Sequence, residues 1–179
     1  AKRLVRNRDY FGPLMLQHGD TDALIVGYSK NYRTVLRPVL EIIEKAKGVD
    51  KIASMMMILS DKKPYFFADT SIHVNPTPEE MANIAKMAEF AIKSFAIQPR
   101  IAMLSYENFS ANSETSKKVA KAVEILHQKY PNMIVDGEIQ PDFAMDADQL
   151  RDYPFSKLGD TPANTFIFPN LESANLSYK

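Results

Sequence analysis

Short apolar runs alternate with longer stretches of helical periodicity along the chain. That alternation predicts βα units and an α/β fold. Residues 23–27, 100–105, 133–135 and 165–168 read as buried strands. Residues 51–60 and 64–69 flank a polar Asp61-Lys62-Lys63 turn and predict an antiparallel pair. A helix is expected over residues 31–46, with Val35, Val39, Ile42, Ile43 and Ala46 on one stripe. Lys45 and Lys47 suit its negative end, and Gly48 suits its stop. A second helix begins at Thr77-Pro78-Glu79-Glu80, where a threonine cap, a first-turn proline and a glutamate combine into a capping box. Its inward stripe is Met81, Ile84, Ala85, Ala88, Ile92 and Phe95. A third helix, over residues 114–129, turns Val119, Ala122, Val123 and Leu126 inward. The expected architecture is three-layer α/β/α: a mostly parallel sheet with one antiparallel hairpin and helices on both faces.

Composition narrows the chemistry. The chain has 179 residues, no cysteine and a net charge of zero. Disulfides, thiol nucleophiles and thiolate metal sites are excluded. Scattered charges give no electrostatic case for nucleic acid or an anionic membrane. No apolar run approaches the roughly 20 residues that span a bilayer, and the basic N-terminus lacks the apolar stretch of a signal peptide. These features fit a cytoplasmic protein. His18, His73 and His127 show no ligand spacing and read as surface or structural residues, with His127 on the polar side of its helix. Glycines at 12, 19, 27, 48, 137 and 159 form no dinucleotide loop. Met55-Met56-Met57 reads as adaptable core or interface.

The most informative stretch is Asp136-Gly137-Glu138-Ile139-Gln140-Pro141-Asp142. A strand is expected to end at Val135, leaving acids, an amide and a glycine at a strand's carboxyl end, where ligands bind in open α/β sheets. Asp136 and Glu138 share a site only if Gly137 turns the chain. With Gln140 they are read as hydrogen-bonding groups that shape the site edge, rather than as an acid/base pair.

Together with Phe166-Ile167-Phe168-Pro169-Asn170-Leu171, this stretch resembles the phosphate acetyl/butyryltransferase family. Tyr28-Ser29, Leu36-Arg37-Pro38, Phe67-Ala68-Asp69-Thr70 and Ala102-Met103-Leu104-Ser105-Tyr106 extend the resemblance, in order, over nearly the whole chain. Asn7-Arg8-Asp9-Tyr10-Phe11-Gly12, followed by Asp22-Ala23-Leu24-Ile25, is most similar to the version of this region carried behind NADP-dependent malic enzymes.

The resemblance implies several things. A domain boundary falls near Gly48, so residues 1–47 end one domain and 48–179 form most of a second. Arg37 contacts a phosphate or acyl-phosphate anion, a task suited to a planar fork of donors. Ser29, Lys30 and Asn31 lie beside it at a helix start able to hold an anion. Ser105, Tyr106 and Ser110 lie on a loop near coenzyme A. Ser110 stands where the family has glycine, which speaks against close coenzyme contact. A later Ser-Arg segment of the family is absent, so no catalytic residue is assigned and the chain alone is expected to be inactive. The main reading is an acetyl-CoA-responsive regulatory and oligomerising region of a malic enzyme, whose NADP and divalent metal (Mg or Mn) bind elsewhere. Acetyl-CoA or phosphate and a second copy of the chain are its expected partners. The rivals are a phosphate acetyltransferase and a purely structural dimerisation module.

Overall fold

The structure is a computed structural model that describes residues 2–45, 49 and 51–179, without the side chains of Lys2 and Arg33. It divides into two compact units, Ala1–Ile52 and Ala53–Lys179. The helix expected over residues 31–46 is helical only over Tyr32–Ile42, since residues 43–45 have left the helix; Ala46, Lys47 and Gly48, with the boundary expected there, lie outside the described residues.

The first unit holds α1 (Lys2–Val5), α2 (Arg8–His18) and α3 (Tyr32–Ile42). The sequence reading missed α2, although its end signals are present. The Asn7 side chain accepts from the Asp9 amide, and Gly19 closes the helix at φ 84°, a left-handed angle that favours glycine. Helix α3 is amphipathic, with Val35 buried and Val39 and Ile42 half-buried, as is Ile43 just beyond it. Residues 23–27 are not a strand. Ile25 is 98% exposed, and no strand among the described residues of this unit pairs with them. An apolar run becomes a strand only where a neighbour takes its backbone hydrogen bonds.

The second unit is built on five strands: β1 (Met55–Ser60), β2 (Lys63–Ala68), β3 (Ile101–Leu104), β4 (Val135–Ile139) and β5 (Thr165–Ile167). Their order is β1-β2-β5-β3-β4, with only β1 antiparallel. The hairpin turns at Asp61 (φ 49°) and Lys62 (φ 65°), the primed geometry that matches strand twist. Helices α4 (Pro78–Lys93) and α5 (Glu114–Lys129) cover one face of the sheet. There Met81, Ile84, Ile92, Val119 and Leu126 meet Phe66, Ile101, Met103, Val135 and Ile167. The short helices α6 (Pro141–Met145), α7 (Ala147–Leu150) and α8 (Leu171–Ser177) lie on the other side, where Ala144, Leu150 and Ala174 join Ala102, Leu104, Ile139 and Phe166. Both faces are covered, which is why these strands read as apolar runs rather than alternating ones. The capping box forms as expected: the Thr77 side chain accepts from the Glu80 amide, and the Glu80 side chain accepts from the Thr77 amide.

Two further expectations are corrected. Phe95 lies beyond α4 and is 53% exposed, so it is no part of the buried stripe. The fourth strand does not end at Val135 but begins there, and all five of its residues are buried. Residues two apart in regular extended chain face the same side. Here Met103 aligns with Gly137 and Leu104 with Ile139, so Glu138 is an extra residue that bulges out. A bulge re-aims its side chain. Asp136 and Glu138 therefore reach different parts of the fold.

Candidate functional site

The carboxyl ends of β3, β4 and β5 converge on a cavity of about 520 Å³. Ser105, Tyr106, Thr115, Gln140, Asp142 and Asn170 line it. Strand β3 delivers Ser105, whose amide donates to Ile139 O at 3.0 Å and whose hydroxyl pairs with that of Ser116 at 2.6 Å. Tyr106 follows at 63% exposure.

Residues 105–113 are held from two sides. Gln140 takes the Asn108 side-chain amide at 3.0 Å, donates its backbone amide to Asn108 Oδ1 at 2.8 Å, and donates Nε2 to Tyr106 O at 2.6 Å. Glu138 Oε1 accepts from the Ser110 and Ala111 amides, each at 2.7 Å, while its carbonyl takes the Phe109 amide at 2.8 Å. Glu107 accepts from the Asn112 amide, the Ser110 hydroxyl and the Ser113 amide. The Asn112 amide is the main cause that holds the Glu107 carboxyl down to about 2.

These contacts bear on Ser110. Ser110 itself does not adopt a left-handed angle; its neighbours Phe109 (φ 49°) and Ala111 (φ 47°) do. Its β-carbon therefore causes no backbone strain at that residue. Its hydroxyl is spent on Glu107 rather than turned to the cavity.

Asp136 reaches elsewhere. Its Oδ2 accepts from the Lys157 amide at 2.7 Å and its Oδ1 from the Gly137 amide at 2.9 Å. His127 hydrogen-bonds Val135 O at 2.8 Å through Nε2, beside Asp136 Oδ1 at 3.9 Å. That half-buried imidazole ties α5 to β4.

Ser29, Lys30, Asn31 and Arg37 belong to the Ala1–Ile52 unit. Ser29 accepts from Arg8, Lys30 pairs with the buried Asp9, and both line a cavity of about 480 Å³. The Asn31 carbonyl accepts the Thr34 amide at the start of α3. Arg37 lines another cleft, with Tyr10 and Thr34. It is 79% exposed, and its Nε donates to Glu41 at 2.7 Å, one helical turn on. Tyr10 donates its hydroxyl to the other Glu41 oxygen. Hydrogen bonds from Arg37 and Tyr10 hold the Glu41 carboxyl below its ordinary range.

Sequence reasoning missed three side chains that tie segments of the second unit together. Asp69, at the end of β2, is 4% exposed and accepts from the Ser54 hydroxyl and from the amides of Ser54, Ser71, Ile72 and His73. The His73 ring adds a contact at 2.6 Å. Burial pushes the Asp69 carboxyl up, but these donors outweigh it and leave it below the ordinary value. Arg100 donates to the carbonyls of Leu158, Thr161 and Pro162, and fixes the segment before β5. Lys118 joins α5 to two other segments. Only the run of Asn and Ser after Glu107 carried a readable signal, since these side chains favour turns that need an acceptor. Among the described residues, no three His, Asp or Glu side chains cluster as a metal site, and no helix is long and apolar enough to cross a membrane.

The chain is similar to known proteins along its whole length. The phosphate acetyl/butaryl transferase family matches residues 1–179. A phosphate acetyltransferase of Bacillus subtilis is 36% identical over 100% of this chain and 56% of its own length. An NADP-dependent malic enzyme of Salmonella typhimurium is 32% identical over 99% of the chain and 24% of its own length. An NAD-dependent malic enzyme of Rhizobium meliloti reaches 36% over 99% and 23%. The chain thus spans about half the length of the B. subtilis relative and a quarter of the malic enzymes. The solved phosphotransacetylase from Streptococcus pyogenes superposes with a TM-score of 0.86 at 32% identity, over 98% of this chain and 54% of its own. With the family matching every residue from 1 to 179 and a solved relative sharing the fold at a TM-score of 0.86, the chain belongs to the phosphate acetyl/butaryl transferase family.

Proposed function

We propose that the chain supplies the coenzyme A side of an acyl-transfer site, in a protein that moves an acetyl group between coenzyme A and inorganic phosphate. This reverses the order of the two readings made from sequence, where the malic enzyme came first. The observation that carries it is the likeness to a solved phosphotransacetylase over 98% of the chain, at a TM-score of 0.86. The cavity chemistry agrees. Its hydroxyl and amide lining, from Ser105, Tyr106, Thr115, Gln140 and Asn170, suits the neutral amide-bearing arm of coenzyme A. A phosphate oxygen attacks the thioester carbonyl, the carbon–sulfur bond breaks, and the thiolate leaves as acetyl phosphate forms. The loop over residues 105–113 is already fixed by Glu107 and Glu138, so little ordering accompanies binding. Within the Ala1–Ile52 unit, taken by itself, Arg37 is proposed as a phosphate contact, with Ser29, Lys30 and Asn31 as candidates near it in sequence.

The test has two parts. Acetyl-CoA titrated into the purified chain should bind saturably, and NADP should not compete. The product of the complete reading frame containing this sequence should form acetyl phosphate from acetyl-CoA and phosphate. Absence of both would sink the proposal.

A second reading, the transferase-like region of a malic enzyme with acetyl-CoA as effector, is supported by the 32–36% identity to such enzymes along nearly the whole chain. Malate-dependent reduction of NADP by that same product would favour it.

A further inference from the structure

Lys118 carries a positive charge next to the cavity and does not line it. Its ammonium donates to Pro169 O at 2.7 Å and to Asn75 Oδ1 at 2.7 Å. Both acceptors are neutral, and among the described residues no carboxylate lies within ion-pair distance of it. Burial pulls the ammonium below the ordinary lysine range. A half-buried charge without a counter-charge is costly to keep, so its two hydrogen bonds need a reason.

The segments it joins supply one. Thr115, one turn earlier on the same face of α5, lines the cavity. Pro169 and Asn170, the turn from β5 into α8, line it as well. Asn170 Oδ1 caps α8 by taking the Ser173 amide at 2.8 Å, and Ser173 is another wall residue. The segment of Asn75 meets the same turn independently: the Leu171 amide donates to Val74 O at 3.0 Å, and Asn175 reaches Thr70 O at 3.4 Å. One ammonium therefore ties α5 and the 69–76 segment to the turn that forms a cavity wall.

We propose that Lys118 is a positioning residue, which holds the Pro169–Asn170 turn against α5 and so sets the shape of the acyl-CoA cavity. It touches no substrate. A charge-assisted hydrogen bond to a carbonyl is stronger and shorter than a neutral one, which suits a lysine to pinning a turn.

The affinity part of the test rests on the acyl-CoA reading above; the exchange part does not. Lys118→Met keeps the length of the side chain and removes the donor, and Lys118→Arg keeps charge and donors. In the ligand-free chain, Lys118→Met should speed amide hydrogen exchange at Leu171 and Ser173 by about tenfold, and leave the amides of β3 and the middle of α4 unchanged. Lys118→Arg should restore slow exchange. Acetyl-CoA should bind Lys118→Met about tenfold more weakly than wild type, with the midpoint of thermal unfolding little changed. Wild-type exchange at Leu171 and Ser173 in Lys118→Met overturns the proposal whatever the chain binds. Exchange that rises equally across β3 and α4 also overturns it, because it marks a general stability role. Altered exchange at the turn with undiminished acetyl-CoA affinity overturns the link to the cavity. Failure of the wild-type chain to bind acetyl-CoA, with the exchange result as expected, counts against the acyl-CoA reading alone.

Discussion

Asp69 shows how one buried side chain can organise the backbone around it. It is buried, yet it accepts from backbone amides on both sides of the β2 terminus. Removing it leaves several donors without a partner, and breaking such a buried charged network costs about 3 kcal/mol. Asp69→Ala should lower stability to urea by that amount. The pH sign follows from the direction of its shift. The folded carboxyl sits below the unfolded one, so its stabilisation is complete above the ordinary carboxylate range, about pH 4. It is lost as pH falls through the lower folded value. Acid titration of wild type and Asp69→Asn should show the variant losing less stability below about pH 4. Arg37 is the opposite case. It is exposed and paired within its own helix, so Arg37→Ala should leave the unfolding midpoint essentially unchanged. It should weaken phosphate binding by roughly 10- to 100-fold; unchanged phosphate affinity by calorimetry would exclude it from the anion site. The Asp69 motif was legible as residues, but its role was not, because its donors are backbone amides, which any sequence would supply.

Elements were legible where their signals are local. The Thr77 capping box, the stripe of α5 and the hairpin turn all lie within a few residues of what they specify. The fourth strand was misread because its polar residues are satisfied from far along the chain: Asp136 by Lys157, Glu138 by Ser110 and Ala111. Residues 23–27 failed in the other direction, as a good strand pattern without a pairing partner. Helix α2 was missed because Pro13 and polar residues blur its periodicity, although Asn7 and Gly19 mark both ends. The β4 bulge gives a sharp prediction. Gly137 has φ 143°, and a β-carbon there would lie 2.3 Å from Met103 O. Backbone cannot retreat from that contact as a flexible side chain would. Gly137→Ala should destabilise by about 3 kcal/mol or more, or fail to fold. A near-wild-type denaturation curve would show that the strand can be rebuilt without its bulge.

At the scale of the molecule, the sheet of the second unit ends in β1, whose outer edge has no strand beside it among the described residues. Met56, Met57 and Leu59 are exposed on that strand, Leu59 at 71%. An apolar edge of this kind is a template for pairing, so the chain should self-associate. A strictly monomeric mass by light scattering at high concentration would count against it. The strand order has a consequence for synthesis. The last in sequence of these five strands, β5, occupies the centre, with β2 on one side and β3 on the other. As the chain leaves the ribosome, β1–β2 and β3–β4 emerge as two separate ribbons, each with an unsatisfied inner edge, and nothing joins them until residues 165–167 arrive. Pairing of such long range is slow, and the interval exposes both edges. A chain cut after residue 160 should therefore precipitate or bind chaperones while the full chain stays in solution. A soluble, cooperatively folded truncation would mean that the two ribbons can close on each other directly.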